Sequence, residues 1–191
     1  MQHAMLFVSL RFHLIHIPMP AWITIYLQDL PSTLEMSDVK KGVAQADWLT
    51  LAESMDIEDD DAQAFMDAVQ WRKTPFEVGL EGARPLQIHL WDTADRIAEE
   101  VEEIIEEVEV PSRVAAHLSH VKAIVALEFA IDQMGTMIEV IGFEIAYWLA
   151  ETYNGLILAP EDDWFDAGDH RWDPIEACAA SQLMQIGRAH V

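Results

Sequence analysis

Near the start of the chain, apolar and polar side chains alternate one by one in two stretches. Every second residue is apolar from Leu6 to Leu14, and residues 21–27 repeat the alternation with tryptophan, threonine and tyrosine on one side and isoleucine and leucine on the other. A period of two is typical of a β-strand with one buried face. The pattern predicts strands over 5–14 and 21–27, joined by a proline turn and paired antiparallel.

Helical spacing and capping residues predict five helices further along. They cover residues 37–55 after a Ser37 N-cap, 58–71, 93–110, 113–119 and 136–153. The third has the clearest apolar stripe, formed by Ile97, Val101, Ile104, Ile105 and Val108. Asn154-Gly155 is the left-handed stop expected just past the end of the last helix.

Short apolar runs between these helices predict four more strands, at 76–80, 85–91, 123–131 and 156–159. From Pro85 the order is β-α-β-α-β, which favours parallel strands joined by right-handed crossovers. We therefore expect an α+β fold, in which helices cover a mixed sheet with two antiparallel N-terminal strands. One domain would span 1–185, with an N-terminal half at 5–80, the β-α-β-α-β half at 84–160 and an acidic aromatic loop at 160–174.

Composition narrows the function classes. The chain has 191 residues, 51% of them hydrophobic, which fits one folded domain and excludes a disordered or collagen-like chain. The 34 acidic residues outnumber the 11 Lys and Arg residues, so the formal net charge is −23. Such a charge disfavours nucleic acids and anionic membranes as partners. A basic protein is the partner that electrostatics favours.

Several features bear on location and processing. The N-terminus lacks the pattern of a targeting segment, and the uncharged stretch 12–28 is too short for a membrane helix, so a cytoplasmic location is expected. The lone cysteine, Cys178, excludes an internal disulfide and suits packing better than nucleophilic chemistry. Residues Ile186–Val191 resemble one translated frame of a common sequencing-library adapter, and we expect them to be foreign to the domain.

Familiar catalytic and metal-binding motifs are absent from the sequence. It contains no phosphate loop, dinucleotide fingerprint, nucleophile elbow or HExxH. Seven glutamates between Glu99 and Glu109 avoid the apolar stripe of their helix, which indicates a solvated face rather than a cation site. His117 and His120 share a helix face but lack a third ligand. We therefore predict neither a metal nor a cofactor.

Glu128 is the clearest candidate for chemistry, because it interrupts an apolar strand where an unpaired carboxylate would be costly to bury. Exposure at a sheet edge would explain it without any function. A general-acid or general-base role would need a cleft and a second polar group, either Glu144 on the next helix or His89 on a neighbouring strand. A small hydrolase or transferase is therefore one functional hypothesis.

The segment 160–174 mixes aromatic residues with six acids in a turn-rich stretch. It does not fit a calcium-binding loop. Aromatic anchors among charges of one sign are typical of a protein-binding surface, although tryptophans folded back over the sheet would give the same sequence. The predicted partner-binding residues are Glu161, Asp162, Asp163, Trp164, Phe165, Asp166, Asp169, Trp172 and Asp173.

The end of the domain resembles one family. Ile141-Gly-Phe-Glu-Ile-Ala-Tyr-Trp-Leu-Ala150, Asn154-Gly155-Leu156-Ile157 and Trp164 resemble a strand-helix-strand ending found in uncharacterised bacterial α+β proteins, some of them similar to polymorphic-toxin immunity proteins. The resemblance lies between Ile141 and Trp164, consists mainly of apolar packing, and carries over no functional residue. It implies a module that masks a basic partner, which is the leading hypothesis beside the enzyme and a structural or oligomerising domain.

Overall fold

The structure of the chain is a computed structural model that describes residues 20–29, 33–107, 110–168 and 174–175. The strands in these ranges are β1 (Pro20–Leu27), β2 (Gln70–Arg72), β3 (Glu77–Gly79), β4 (Leu86–Trp91), β5 (Ala123–Ala130), β6 (Gly155–Leu158) and β7 (Trp164–Asp166). The α-helices are α1 (Met36–Gln45), α2 (Trp48–Ser54), α3 (Asp59–Ala68), α4 (Ala94–Glu107), α5 (Ser112–Leu118) and α6 (Met137–Tyr153). The fold is α+β, as predicted. No helix of the described ranges is long and apolar enough to cross a bilayer.

The strands form one seven-stranded sheet in the order β2-β3-β4-β5-β1-β6-β7. Every neighbouring pair is antiparallel. β1 lies inside the sheet: it pairs with β5 from Pro20↔Ala130 to Leu27↔Ala123, and with β6 from Thr24↔Leu158 to Leu27↔Gly155. The strand predicted at 21–27 is therefore confirmed, and both of its edges are occupied over 24–27.

The expectation of parallel pairing in the second half is wrong. β4 and β5 are antiparallel neighbours, and β5 and β6 run in the same direction with β1 between them. The sheet is antiparallel rather than mixed, because a strand from the beginning of the chain fills the gap that α6 spans. The strand predicted at 5–14 lies outside the described residues.

Two predicted helices have different bounds in the structure. The helix expected at 37–55 divides into α1 and α2, because Ala46 has an extended backbone with ψ of 158°. The N-cap of α1 is Glu35, so Ser37 already lies within the helix. The helix expected at 58–71 ends at Ala68, and the next residues form the edge strand β2.

The alternation of side chains gives the sheet two different faces. The first face carries Ile23, Ile25 and Leu27 of β1 and packs against α1 and α6 in the main core. α6 is apolar on nearly all sides because it is buried on nearly all sides. It begins where Thr136 Oγ1 accepts a hydrogen bond from Ile138 N, and it ends at left-handed Asn154, as predicted.

Among the described residues, helices cover only one end of the second face. There, Tyr26, Ile124 and Leu156 pack with residues of α4 and α5. At the other end Trp22, His89 and Glu128 are partly exposed. The two halves of this face hold the candidate site residues.

Candidate functional site

Helix α4 is strongly amphipathic, and only part of its apolar stripe packs against the sheet. Ile97 is buried, and Val101 and Ile104 pack against the second face of the sheet. The Arg96 guanidinium lies 4.7 Å from the centre of the Trp91 ring, which fastens the start of the helix to β4. Ile105, by contrast, is 50% exposed. The helix therefore keeps an apolar strip without a covering partner among the described residues.

This strip is one wall of a groove of about 890 Å³ between α4 and the end of α5, which we call the α4–α5 groove. Its apolar lining consists of Ala94, Ile97, Ala98, Val101 and Ile105 on α4 and of Leu118 and Val121 opposite. The polar lining consists of Asp92, Glu102, Glu106, Ser119 and Lys122. Lys122 is the one cation among these lining residues, and its Nζ lies 3.9 Å from Asp29 Oδ1.

Carboxylates of α4 outside the groove lining also act on one another and on the sheet residue Tyr26. Burial raises the pKa of Glu100, against the favourable charge of Arg96, and Glu103 and Glu99 raise it further. Burial likewise raises the pKa of Tyr26, with added contributions from Glu100 and Glu103. The surface of α4 thus favours cations, while its stripe favours apolar groups.

A second polar group, the sheet-face cluster, consists of Trp22, Arg84, His89 and Glu128. Arg84 Nη2 donates to Glu128 Oε1 at 3.1 Å, and His89 Nε2 lies 3.4 Å from Glu128 Oε2 without hydrogen-bond geometry. The rings of Trp22 and His89 are 5.8 Å apart. The structure therefore brings Glu128 and His89 together, as one hypothesis required.

Glu144, the other partner considered for Glu128, is fully buried in α6. Because α6 packs against the first face and Glu128 lies on the second, the sheet separates the two carboxylates. Of the two alternatives, Glu144 and His89, the structure therefore separates Glu144 from Glu128. Sequence reasoning missed Arg84, which follows the turn before β4; only the register of β4 against β5 brings it to Glu128.

The two histidines considered as possible metal ligands are His117 in α5 and His120 just after it, and each contacts a neighbouring oxygen. His117 Nε2 lies 2.8 Å from the backbone oxygen of Tyr26, and burial lowers the pKa of this histidine. His120 Nδ1 lies 2.8 Å from Ser119 Oγ. Within the described ranges no group of three or more His, Cys, Asp or Glu could hold a metal ion. Cys178 lies outside them.

The predicted binding surface at 160–174 needs correction. Trp164 is 2% exposed and packs 5.3 Å from the Tyr26 ring, so it belongs to the protein's own core and is not an exposed anchor. Phe165 and Asp166 are half-buried, and Asp166 forms an ion pair with Arg113. The three acids Glu161, Asp162 and Asp163 are exposed. The predicted residues Asp169, Trp172 and Asp173 lie outside the described part of the chain.

The fold and the groove define an acidic α+β protein with an apolar groove beside a glutamate-rich helix. Comparisons with protein-family models, with curated protein sequences and with solved structures found no match.

Proposed function

We propose that this chain is a protein-binding module whose α4–α5 groove binds a basic, amphipathic segment of a partner protein. The observation that carries the proposal is the apolar groove between carboxylates, with Ile105 half-exposed on its wall. An exposed apolar strip rimmed by polar residues is typical of interaction sites.

The two parts of the groove have different roles in this proposal. The apolar lining supplies contact area for one face of a partner helix, and burial of the exposed Ile105 in the complex would slow dissociation. Glu102 and Glu106 on the rim, together with the net charge of −23, attract a basic segment before contact. Site and charge therefore favour the same partner.

An immunity-like role is the biological form of this proposal, in which the basic partner is a toxin domain that the module masks. The acidity of the chain and the resemblance of its residues 141–164 support it. A gene for a basic toxin domain beside the gene for this chain, and capture of that domain by it, would be expected. Neighbouring genes without such a product would argue against the immunity role while leaving the groove to be tested.

The test of the groove uses a defined probe, a helical peptide of about 18 residues, or five turns, with leucines at i, i+3, i+4 and i+7 and lysines elsewhere. Ile105→Asp should weaken probe binding about tenfold or more, mainly by faster dissociation, because it places a charge in the apolar contact. Leu49→Asp is the matched control, since Leu49 is 38% exposed on α2, outside the groove. Equal affinities for the two variants would contradict the proposal.

A second pair of variants tests the rim. Glu102→Gln with Glu106→Gln should slow association of the probe and flatten its salt dependence, since steering acts through a screened field. Asp59→Asn with Asp60→Asn removes the same charge from the exposed start of α3. If this control slowed association as much as the rim variant, the net charge alone would account for the attraction, and the rim would have no special role.

The sheet-face cluster favours a second candidate, a hydrolase or transferase in which Glu128 acts as a general acid or base beside His89. The proximity of the two side chains supports it, with His89 Nε2 3.4 Å from Glu128 Oε2. Ester and phosphoester substrates assayed with the wild type and with Glu128→Gln test this candidate. Turnover lost in the variant would favour it, and turnover unchanged in the variant would exclude Glu128 from the reaction.

A further inference from the structure

A second hollow lies at the Pro20 end of β1, away from the α4–α5 groove. Its volume is about 410 Å³, within the range of small-molecule sites. Trp22 of β1, Ile131 and Met134 after β5, and the turn after β6 enclose it. The turn contributes Pro160, Glu161 and Asp162. The hollow is therefore mainly apolar, with two carboxylates at one side.

These carboxylates lack a cationic partner within the described ranges. Neither Glu161 nor Asp162 forms an ion pair there, and both are exposed. Glu161 also adds to the negative potential at neighbouring Glu139, whose pKa is raised mainly by burial. The guanidinium of Arg84 is bonded to Glu128. Among the described residues, this side of the hollow thus carries two carboxylates that no ion pair compensates.

The aromatic wall adds an independent preference. Trp22 is 37% exposed, although the residues on either side of it in β1, Ala21 and Ile23, are buried, so part of its indole is accessible. A tryptophan ring attracts organic cations through its π face, and the neighbouring apolar side chains suit the carbon stem of such a cation. A hard metal ion would need six or more oxygen ligands, which this apolar lining does not offer.

We propose that this hollow binds an alkylammonium ion, with its stem against Trp22 and Ile131 and its charge beside Glu161 and Asp162. The ligand is either a free amine or the side chain of a lysine in a peptide, because both present the same ammonium group on an apolar stem. The site is separate from the α4–α5 groove and does not depend on the function proposed for that groove.

The experiment titrates the protein with n-butylammonium and with 1-butanol, its neutral counterpart, and follows backbone amide shifts of residues 20–24 and 158–163. A second arm compares the peptide acetyl-Gly-Lys-Gly-amide with the same peptide carrying norleucine. We expect saturable shifts with the charged member of at least one pair and not with its neutral counterpart. Saturation by butylammonium alone identifies a free amine as the ligand, and saturation by the lysine peptide alone identifies a side chain.

Two variants locate the binding. Trp22→Ala should weaken it about fivefold, the size of a partly desolvated cation–π contact. Glu161→Gln with Asp162→Asn should weaken it at least as much, and both residues are exposed, so the fold is retained. Asp59→Asn with Asp60→Asn removes equal charge at α3 and should leave the affinity unchanged. No saturable binding of either charged probe, equal binding of the neutral ones, or an equal loss in the α3 control would overturn the proposal.

Discussion

Replacing Gly42 with alanine sets two known effects of opposite sign against each other. Gly42 lies inside α1, where alanine favours the helix by about 1 kcal/mol over glycine. A Cβ atom at this position, however, would lie 2.3 Å from both Cδ1 and Cγ of Trp148 on α6. These atoms are the base of the indole, so the whole ring has to move.

The ring has little room to move, since it packs against the main core and lies edge-on to Tyr153, with ring centres 6.3 Å apart. Overpacking of this kind costs about 1–3 kcal/mol. Because a contact of 2.3 Å is far inside van der Waals distance, we expect the clash to cost about 2–3 kcal/mol, the upper part of this range. Subtracting the helix preference of about 1 kcal/mol, Gly42→Ala should lower the free energy of unfolding by about 1–2 kcal/mol. Urea denaturation with an unchanged slope measures it.

Two controls separate the effects. Ser37→Ala, at an exposed position of the same helix, should stabilise the protein by a few tenths of a kcal/mol, to about 0.5 kcal/mol. In a Trp148→Leu background the ring is absent, and Gly42→Ala should become neutral or stabilising. A Gly42→Ala protein as stable as the wild type would refute the close packing of α1 on α6.

Three further predictions concern the second face of the sheet. Trp164→Ala should lower the free energy of unfolding by about 3–5 kcal/mol because the ring is buried. Trp164→Phe should lower it much less, because phenylalanine keeps a ring in the core and lacks the indole Nε1, which is buried with no acceptor among the described residues. Equal losses in thermal unfolding would contradict this. Burial lowers the pKa of His117 from its ordinary 6.5, so protonation of this histidine favours the unfolded chain. The free energy of unfolding should therefore decrease as the pH falls below 6.5. This decrease should be smaller in His117→Gln. Burial raises the pKa of Glu100 above 4.5, so its charge destabilises the fold at neutral pH: Glu100→Gln should be more stable at pH 7, with the difference shrinking as the pH falls towards 4.5, and an unchanged difference would contradict the assignment.

Local periodicity was sufficient to predict the long elements. The alternation in β1, the stripe of α4 and the left-handed stop after α6 each depend on neighbouring residues, and the structure confirms all three elements. Sheet order depends on distant residues. The insertion of β1 between β5 and β6 leaves no mark on the sequence around those two strands, so parallel neighbours were a wrong prediction.

The candidate sites likewise combine features that neighbouring residues determine with features that distant residues determine. The sequence predicted the acids of α4 and its stripe, but the exposure of Ile105 depends on how far α5 reaches across that stripe. Trp164 was predicted as an exposed anchor because it lies among acids; the pairing of β7 with β6 turns its ring towards Tyr26 instead. Burial of a single aromatic residue near a strand end depends on which face the register selects.

The central claim is that the α4–α5 groove is the surface that binds a basic amphipathic segment. Mapping of backbone amide shifts during titration with the leucine–lysine peptide tests it most directly. The account predicts that the perturbed residues lie on α4 and at 118–122. Ile105→Asp should move the titration of these shifts to a peptide concentration about tenfold higher or more, while Leu49→Asp should leave it nearly unchanged. Shifts centred on α3 or on 161–166, or spread evenly over the acidic surface, would contradict it.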